Sequence, residues 1–374
     1  MVRFLRRGYL MLVTGLLLGM LLASLLARTY GGRGGTASLA RPEEIELVFL
    51  YTSEKEGWIN EVKPLFEEWF YRKHGIRVRL SLYVTGSHES INLILRGSVK
   101  PDVWSPASSI WIPYLNKKWE ELYGGRIAGE WYPLVLSPLV IAGWRNLVEK
   151  YGVRGFRDLY ELARRGVDYK YGHPDPLLSN GGVMALLMEF CEAANKTPDQ
   201  LTVEDVKRPE VLEFVKTIES RAVYYGKSTG FFGSWAAENG PQAISFFSVY
   251  ESVVVSNSLK ARMKWGVELA AVYPSIGVLY SDHPLVMIEA PWVDDWEKLA
   301  ARELLLFLLQ PEIQRLAEKY GFRPVNPLVE LDAEIFSEEN GVRLRIGVPG
   351  LRPPRGEVLE AILTAWVEVR NPGV

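Results

Sequence analysis

The chain has 374 residues, of which 48% are hydrophobic and 24% charged, so its composition is that of a folded globular protein with two or three lobes and not of a disordered or fibrous one. Its net charge of −2 conceals an asymmetry, because residues 1–41 contain six Arg and no acidic residue, while residues 42–374 hold 37 basic against 45 acidic residues. A body with this net charge of −8 is a poor partner for nucleic acid, and one Cys with four His allows no internal disulfide and predicts no metal centre.

The N-terminus has the pattern of a membrane signal. Three Arg among the first seven residues precede an uncharged, Leu-rich run at residues 8–27, and a helix of 20 residues spans about 30 Å, the thickness of the hydrocarbon core. We therefore expect residues 1–27 to form an uncleaved transmembrane anchor; a cleaved signal peptide is the alternative, because small residues follow at Ser38 and Ala40. Since the Arg cluster stays in the cytoplasm, both alternatives predict an extracellular body, either on a single-pass anchor or secreted. The Gly-rich residues 28–42 predict a flexible tether.

From residue 43 onward, strand and helix patterns alternate. Residues 45–51 form a continuous apolar run, which is typical of a strand buried on both faces, and apolar side chains at helical spacing follow over residues 54–73. Residues 76–84 alternate between polar and apolar as a strand does, residues 87–96 predict a short helix, and residues 101–104 a third strand. This order predicts parallel strands joined by crossover helices, and hence an α/β fold.

The rest of the chain continues as a second α/β unit. An apolar run at residues 134–142 predicts a strand whose Pro suggests an edge or a bend. Asp294 and Glu297 form a capping box that marks the start of a helix over residues 294–309. The remaining predicted helices cover residues 156–165, 182–195, 203–220, 235–239, 249 onward, 311–320 and 357–368, and the remaining strands cover residues 243–247, 268–273, 277–280 and 284–288.

Five segments of the chain, taken together, resemble one family. They are PDVWSPASSIWIPYL (101–115), SPLVIAGW (137–144), HPDPLLSNGGVMALL (173–187), YPSIGVLYSDHPLVMIEAPWV (273–293) and EIQRLAEKYGFRPVNP (312–327). They resemble extracellular solute-binding proteins of the ABC-transport type, the periplasmic-binding-protein class. More narrowly, the chain is similar to the substrate-binding half of proteins that continue into a von Willebrand factor A domain. Here the sequence stops at Val374, so we expect that domain to be absent or supplied by a separate chain.

This resemblance implies a periplasmic-binding-protein-like α/β fold of two lobes joined by a hinge, with the ligand in the cleft between the lobes and the transmembrane helix in front. The chain is then expected to cross between the lobes twice, near residues 134–142 and 273–290. Lobe I would comprise residues 43–138 plus 282–374, and lobe II residues 139–281. Closure of the hinge around the ligand is the expected motion.

Four loops rich in hydroxyl groups are expected to form the ligand site. In an open α/β sheet, ligands bind at the carboxyl ends of strands, where loops lead into helices, and such loops offer side-chain oxygens and backbone N–H groups that suit an anion or a carboxylate. The resemblance implies the same loops, although Ser, Thr and Asn at helix starts can also serve only as N-caps. The candidate ligand-binding residues in these loops are Thr52, Ser53, Thr85, Ser87, Ser105, Ser108, Ser179 and Asn180.

Tyr250 and Glu251 follow the strand predicted at residues 243–247. Members of the family often have a Tyr or an acidic residue at this position between the lobes, so the resemblance implies that both residues contact the ligand. Glu251 has two alternative roles, since a carboxylate at this position could also bind a cation or lock the hinge.

The expected function is that of a membrane-tethered, extracellular solute-binding protein that captures a small polar or anionic solute and delivers it to an ABC permease. A sugar is the second choice of solute, because 12 Trp offer aromatic faces for stacking. The chain contains no H-E-x-x-H, S-x-x-K or P-loop motif, so we expect neither an enzyme nor a cofactor. The alternative is a surface interaction protein that docks a partner, for example a separate von Willebrand factor A domain protein, without transporting a solute.

Overall fold

The computed structural model describes residues 41–370, so the anchor and most of the tether predicted for residues 1–42 lie outside the described residues. None of the helices within this described part has the length and apolar character that crossing a membrane requires. Its strands, numbered in chain order, are β1 (Glu44–Thr52), β2 (Arg77–Thr85), β3 (Val103–Ser105), β4 (Ala128–Pro133), β5 (Val135–Trp144), β6 (Tyr171–Pro174), β7 (Ala222–Gly226), β8 (Phe246–Tyr250), β9 (Leu269–Val272), β10 (Tyr280–Ser281), β11 (Pro284–Ile288) and β12 (Arg323–Pro324).

Helices connect these strands, and short 3₁₀ turns at Ser53–Lys55 and Pro198–Gln200 precede two of them. The helices are α1 (Glu56–His74), α2 (Ser87–Leu95), α3 (Trp111–Tyr123), α4 (Arg145–Tyr151), α5 (Phe156–Arg164), α6 (Asn180–Ala194), α7 (Val203–Val206), α8 (Pro209–Glu219), α9 (Thr229–Asn239), α10 (Glu251–Trp265), α11 (Asp295–Leu308), α12 (Pro311–Glu318) and α13 (Gly356–Arg370).

The first sheet has the strand order β2-β1-β3-β11-β4. β1 runs parallel to β2 and β3, whereas β11 pairs antiparallel with β3 and β4. The parallel strand-helix-strand unit predicted at the start of the body is therefore confirmed. Leu47 and Phe49 of β1 are buried with α1 and α11, while Leu50 is buried with α2 and α3. Because both faces of β1 are covered, its sequence is a continuous apolar run.

β5 is a long strand that pairs with different strands along its length. Its first residues pair with β12 and β10, and residues 139–144 pair with β8 on one side and β9 on the other. Pro138 lies where these partners change, so β5 is not the edge strand that its Pro allowed. We call the unit around the first sheet lobe I and the unit around β6 to β9 lobe II. β5 and β10 lie at the two places where the sequence predicts that the chain crosses between the lobes.

Lobe II packs around α6, a helix in which 13 of 15 residues are buried. The C-terminal helix α13 contacts α6, α7 and α8, and its Ile362 and Trp366 belong to the same buried cluster as α6. The sequence predicts that residues 282–374 belong to lobe I, whereas the last helix of this range packs mainly against α6, α7 and α8. An amphipathic pattern predicts that one face of a helix is buried, but it does not indicate which part of the protein that face contacts. The exact division of the chain into lobes stays a prediction.

One helix begins earlier than its sequence pattern indicates. α9 starts at Thr229, whereas the pattern predicts a helix only over residues 235–239. Gly230 and Gly233 lower the helix propensity of the first turns, which hides this part of the helix. Tertiary contacts require both glycines: a Cβ on Gly230 would lie 2.7 Å from the backbone nitrogen of Glu54, and a Cβ on Gly233 would overlap a side chain of α10.

Candidate functional site

The ends of β1 and β2 in lobe I meet the N-termini of α6 and α9 in lobe II. Ser53, directly after β1, has its hydroxyl oxygen 2.6 Å from that of Ser228, which precedes α9. The backbone N–H groups of His88 and Glu89 in α2 donate to the carbonyl of Leu178 at 3.1 and 3.4 Å. These hydrogen bonds join the two units directly, at the position where the sequence predicts the cleft.

Glycines make this close approach possible. A Cβ on Gly86 would lie 2.5 Å from the carbonyl oxygen of Leu178, and a Cβ on Gly230 would lie 2.7 Å from the backbone nitrogen of Glu54. Both conflicts are with backbone atoms of the opposite lobe, which cannot move aside as a side chain can. Any larger residue at these two positions would hold the lobes apart.

Asn180, at the start of α6, joins three other elements at the cleft. Its side-chain N–H groups donate to the Tyr250 hydroxyl at 2.8 Å and to the Ser281 hydroxyl at 3.1 Å, while its side-chain oxygen accepts from the Trp111 indole N–H at 2.9 Å. Asn180 and Tyr250 are both buried. The structure thus brings two of the predicted ligand-binding residues into contact and adds Ser281 and Trp111 to them.

Two serines at helix N-termini near the cleft do not act as the Thr and Asp caps of two other helices do. Ser179 and Ser228 occupy the N-cap positions of α6 and α9 with extended backbones, yet neither side chain accepts a hydrogen bond from its helix. The Ser179 hydroxyl lies 3.1 Å from that of Thr229 instead. By contrast, Thr202 and Asp294 cap α7 and α11 through capping boxes. Simple N-capping therefore does not explain the two serines at the cleft.

A buried cluster of ionisable groups lies below these hydroxyls. The ammonium of Lys55 is 2.6 Å from the hydroxyl oxygen of Thr52 and 3.6 Å from a carboxylate oxygen of Glu54. The Nδ1 atom of His283 lies 3.3 Å from each of these two charged groups. His283 has a φ of +37°, which is rare for residues other than Gly and indicates a position held by its surroundings.

The members of this cluster set one another's protonation. Burial opposes ionisation of Glu54, but Lys55 and His283 outweigh it and lower the pKa of the Glu54 carboxyl to about 2. Burial lowers the pKa of Lys55 to about 8, although the Glu54 carboxylate counteracts part of that effect. Burial and the charge of Lys55 lower the pKa of His283. At neutral pH the cluster is thus an ion pair beside a neutral imidazole, with no net charge.

The other predicted ligand-binding residues of lobe I have hydrogen-bond partners within lobe I, or none among the described residues. Thr85 donates to Glu89 in the first turn of α2, and the Ser87 hydroxyl accepts from the N–H of Ala107 at 3.0 Å. Ser108 accepts from a backbone N–H two residues further on, at 3.4 Å. Ser105 is different, because its hydroxyl is buried and has no hydrogen-bond partner in the described part of the chain.

Glu251, at the start of α10, is bound by the protein itself. Its two carboxylate oxygens accept from Arg323 of β12 at 2.7 and 2.8 Å, and the Tyr273 hydroxyl donates to one of them. Arg323 also donates to the backbone carbonyls of Arg343 and Leu344. Protein groups thus hold both carboxylate oxygens of Glu251, and its predicted roles in ligand contact, cation binding or locking the hinge stay predictions.

Sequence reasoning missed Ser228 and Thr229 although a signal for them exists. Ser228-Thr229-Gly230 repeats the Ser-x-Gly pattern of Ser179-Asn180-Gly181, each at the start of a helix. Residues 226–230 also match G-x-S-x-G, the pattern around the nucleophilic Ser of many hydrolases. Ser228, however, has extended backbone angles of −157° and 162° and bonds the Ser53 hydroxyl. Within the described residues it makes no hydrogen bond to a His, so the geometry offers binding groups and no paired base.

Comparison with known proteins points to one family. The model of a family described as bacterial extracellular solute-binding protein matches residues 47–323. No curated protein matches the chain. These findings agree with the resemblance to solute-binding proteins, and none of them supports the narrower similarity to proteins with a von Willebrand factor A domain.

Several solved structures share the fold. A periplasmic thiamin binding protein is 13% identical with a TM-score of 0.63, over 90% of this chain and 100% of its own. The sulfate-binding protein from Mycobacterium tuberculosis H37Rv is 18% identical with a TM-score of 0.55, over 88% and 99%. The ferric binding protein from Campylobacter jejuni is 14% identical with a TM-score of 0.57, over 87% and 99%. These likenesses show the mixed α/β fold of periplasmic binding proteins.

Proposed function

Because the chain belongs to the family of bacterial extracellular solute-binding proteins, we propose that it holds its solute in the closed cleft, among Ser53, Ser105, Asn180 and Ser228, and delivers it to an ABC permease. The solute is a small anionic or polar molecule. Opening of the lobes admits the solute, and the closed arrangement retains it, to the extent that the solute binds the closed state better than the open one.

The arrangement of helix N-termini at the cleft carries this proposal. A helix N-terminus bears a partial positive charge and unsatisfied N–H groups, and it attracts anions. α6 and α9 both begin at the cleft, and the serines at their N-cap positions do not cap them. The hydroxyls of these serines face Thr229 and Ser53. An anion between the lobes would therefore meet two helix N-termini and several hydroxyl donors.

An anion is preferred to a sugar because aromatic side chains at the cleft already have partners. Trp111 donates its indole N–H to Asn180, and its ring stacks on His88 with the ring centroids 5.3 Å apart. Trp104 is fully buried and donates to Ser90. Stacking on a sugar needs a free aromatic face, and these contacts favour a packing role for both rings.

A binding experiment on the purified protein tests the proposal. Sulfate, phosphate and molybdate are titrated by calorimetry, with sugars and thiamin as the comparison set. At 100 times its dissociation constant, a true ligand adds about 2.7 kcal/mol to the free energy of unfolding and raises the melting temperature by a few degrees. We expect an oxyanion to bind, and the double variant Ser179→Ala, Ser228→Ala to bind it at least tenfold more weakly, about 1.4 kcal/mol.

Ser220→Ala is the matched control, since Ser220 is exposed and its hydroxyl donates to the backbone carbonyl of Thr217 at 2.7 Å. If the double variant binds the oxyanion as tightly as the parent protein does, the solute binds outside these loops. If the protein binds a sugar and no oxyanion, the proposed anionic solute is wrong and the solute is a sugar. A folded protein that binds none of these solutes would favour the interaction protein that docks a partner.

Attachment to the membrane is a separate part of the proposal. The Arg-flanked apolar run of residues 8–27 supports a single-pass anchor that keeps the body at the outer face of the membrane. N-terminal sequencing of the protein from membrane and soluble fractions tests it, because an intact Met1 in the membrane fraction indicates an uncleaved anchor. Only the sequence resemblance supports a partner with a von Willebrand factor A domain. Affinity capture with residues 42–374 as bait tests whether such a partner binds.

A further inference from the structure

Inside lobe II, His173, Glu189 and Glu219 form a buried cluster beneath the C-terminal helix. The side chains of His173 and Glu189 are 0% exposed, and Glu219 is 7% exposed. One ring nitrogen or carboxylate oxygen from each residue lies within 4.8 Å of those from the other two. Glu189 follows Asn180 of the cleft by nine residues in the same helix, about 14 Å along its axis, so the cluster is separate from the cleft.

The hydrogen bonds of His173 leave one of its nitrogens facing an acceptor. Its Nδ1 lies 2.7 Å from the carbonyl oxygen of Pro174, which can only accept, so Nδ1 carries the proton. In the neutral ring, Nε2 then presents a lone pair, and it lies 3.0 Å from a carboxylate oxygen of Glu219. Two lone pairs at this distance need either a proton or a metal ion between them. Metal-binding histidines have this same arrangement, with the second nitrogen donating to a backbone carbonyl.

Donors from the surrounding side chains hold the two carboxylates in place. Glu219 accepts from the Tyr225 hydroxyl at 2.6 Å and the Trp366 indole at 3.3 Å through one oxygen, and its other oxygen faces His173. Glu189 accepts from the Tyr171 hydroxyl at 3.1 Å through one oxygen. Its second oxygen is buried and makes no hydrogen bond among the described residues. Each carboxylate therefore has one oxygen oriented by donors and one oxygen left for a cation.

No Lys or Arg within the described residues supplies that cation. Among the described residues, the ion pairs of Glu189 and Glu219 include no Lys or Arg, and His173 is the partner of Glu219. The guanidinium of Arg370 lies over the rings of Tyr225 and Trp366 instead, 4.4 and 5.3 Å from their centroids. Two ionised carboxylates here would have only the His173 ring to balance them, which is costly in a buried site unless protons or a metal ion neutralise the cluster.

We propose that His173, Glu189 and Glu219 bind one divalent transition-metal ion, for which Zn²⁺ is the probe. One imidazole nitrogen and two carboxylate oxygens are a donor set that zinc accepts, and the imidazole disfavours Ca²⁺ and Mg²⁺, which select oxygen ligands. Metal–ligand bonds of about 2.0–2.2 Å place neighbouring ligand atoms of a tetrahedral ion roughly 3.4 Å apart. His173 and Glu219 are already near this separation, and the bound ion draws the Glu189 carboxylate towards them.

The ion acts as a structural link within lobe II. Its ligands come from β6, α6 and α8, and Glu219 is bonded to Trp366 of α13. Binding therefore fastens the C-terminal helix to the core of the lobe. The ion is a fixed part of the fold and distinct from the solute of the cleft, so the inference does not depend on which solute the protein carries.

The test uses the full chain purified without chelators. Its metal content is measured by mass spectrometry, and the protein is then stripped with EDTA and titrated with Zn²⁺ against a chromophoric chelator. We expect one equivalent of Zn²⁺ per chain and a higher melting temperature with the metal. Glu189→Gln keeps the side-chain shape and removes one anionic ligand, so it should weaken binding at least tenfold. Tyr225→Phe, which removes a donor that orients Glu219, should weaken binding about 10–100-fold.

Two control variants keep the outcome clear. Cys191→Ala removes the only thiol of the chain, and Glu161→Gln removes an exposed carboxylate of lobe II; both should bind Zn²⁺ as the parent protein does. A parent protein that binds no stoichiometric Zn²⁺ overturns the proposal, and a proton then occupies the place between His173 and Glu219. Equal binding by the parent and by folded Glu189→Gln, checked by circular dichroism, overturns it as well, because the metal then binds elsewhere.

Discussion

The two fully buried histidines, His283 and His173, stand beside carboxylates in different surroundings. At the cleft, Lys55 supplies the positive charge that Glu54 needs, and His283 is a neutral neighbour. Inside lobe II, Glu219 has no basic partner other than His173 among the described residues. A buried carboxylate needs a cation in both places. The comparison shows that the protein provides this cation itself where the lobes meet and leaves it to a proton or a metal ion inside one lobe.

This difference follows from the motion expected at each place. The proposed opening and closing of the lobes would expose the cleft cluster to water and bury it again. A cluster with no net charge loses less hydration on closing than a lone charge does. The cluster inside lobe II stays within one unit, where a tightly bound ion need never leave. Four measurements, in order of decreasing expected effect, test whether the two clusters differ in this way.

The largest effect is expected from removing the internal cation of the cleft. Lys55→Met leaves the Glu54 carboxylate buried and unpaired, so we expect a loss of about 3–5 kcal/mol in the free energy of unfolding, measured by urea denaturation. Lys118→Met is the control, because the Lys118–Glu121 pair is exposed and should contribute less than about 1 kcal/mol. A Lys55→Met variant as stable as its parent would show that Glu54 does not depend on Lys55.

The second effect is a dependence of stability on pH. The folded state lowers the pKa of Glu54 from 4.5 to about 2, so its carboxylate stabilises the fold above pH 4.5, and this contribution disappears as the pH falls towards 2. The shift corresponds to about 3 kcal/mol. Between pH 5 and pH 2, Glu54→Gln should lose correspondingly less stability than the parent protein in urea titrations. Parallel curves for the two proteins would contradict the shift.

The third effect tests whether the cleft and the His173 cluster inside lobe II behave independently. The Cβ of Gly230→Ala would meet the backbone of Glu54 and keep the lobes apart, so we expect at least tenfold weaker binding of the oxyanion in the cleft, about 1.4 kcal/mol. Binding of Zn²⁺ at His173 should not change. Gly356→Ala is the control, since a Cβ there has no atom within 4 Å. Weaker Zn²⁺ binding in Gly230→Ala would show that the cleft and the His173 cluster are coupled, which contradicts their proposed independence.

The smallest effect concerns the helix N-termini. Asp294→Ala removes a true cap of α11 and should cost about 1 kcal/mol of stability in urea denaturation. Ser179→Ala removes a hydroxyl that caps no helix, so we expect a smaller loss of stability together with weaker binding of the oxyanion. If both variants lose stability equally and Ser179→Ala binds normally, the hydroxyl serves the fold and not the solute.

Local patterns predicted most of the regular elements of the chain. The apolar run of β1, the alternation in β2 and the capping box of α11 each depend on a few neighbouring residues, and each is confirmed. Patterns failed where tertiary contacts select the residue type. The glycines of α9 lower its helix propensity, but they are needed where α9 touches Glu54 and α10. The start of this helix, and with it Ser228, therefore escaped prediction.

The α/β order, the family resemblance and the hydroxyl-rich loops at strand ends can all be predicted from the sequence, because these features depend on spacing along the chain. Which of those hydroxyls face one another, and which ionisable groups share a cluster, follows only from the packing of distant segments. Ser53 meets Ser228 across 175 residues, and Lys55 meets His283 across 228. The physical reason is that spacing predicts the conformation and burial of one segment, whereas contacts between distant segments depend on how the two lobes pack and close.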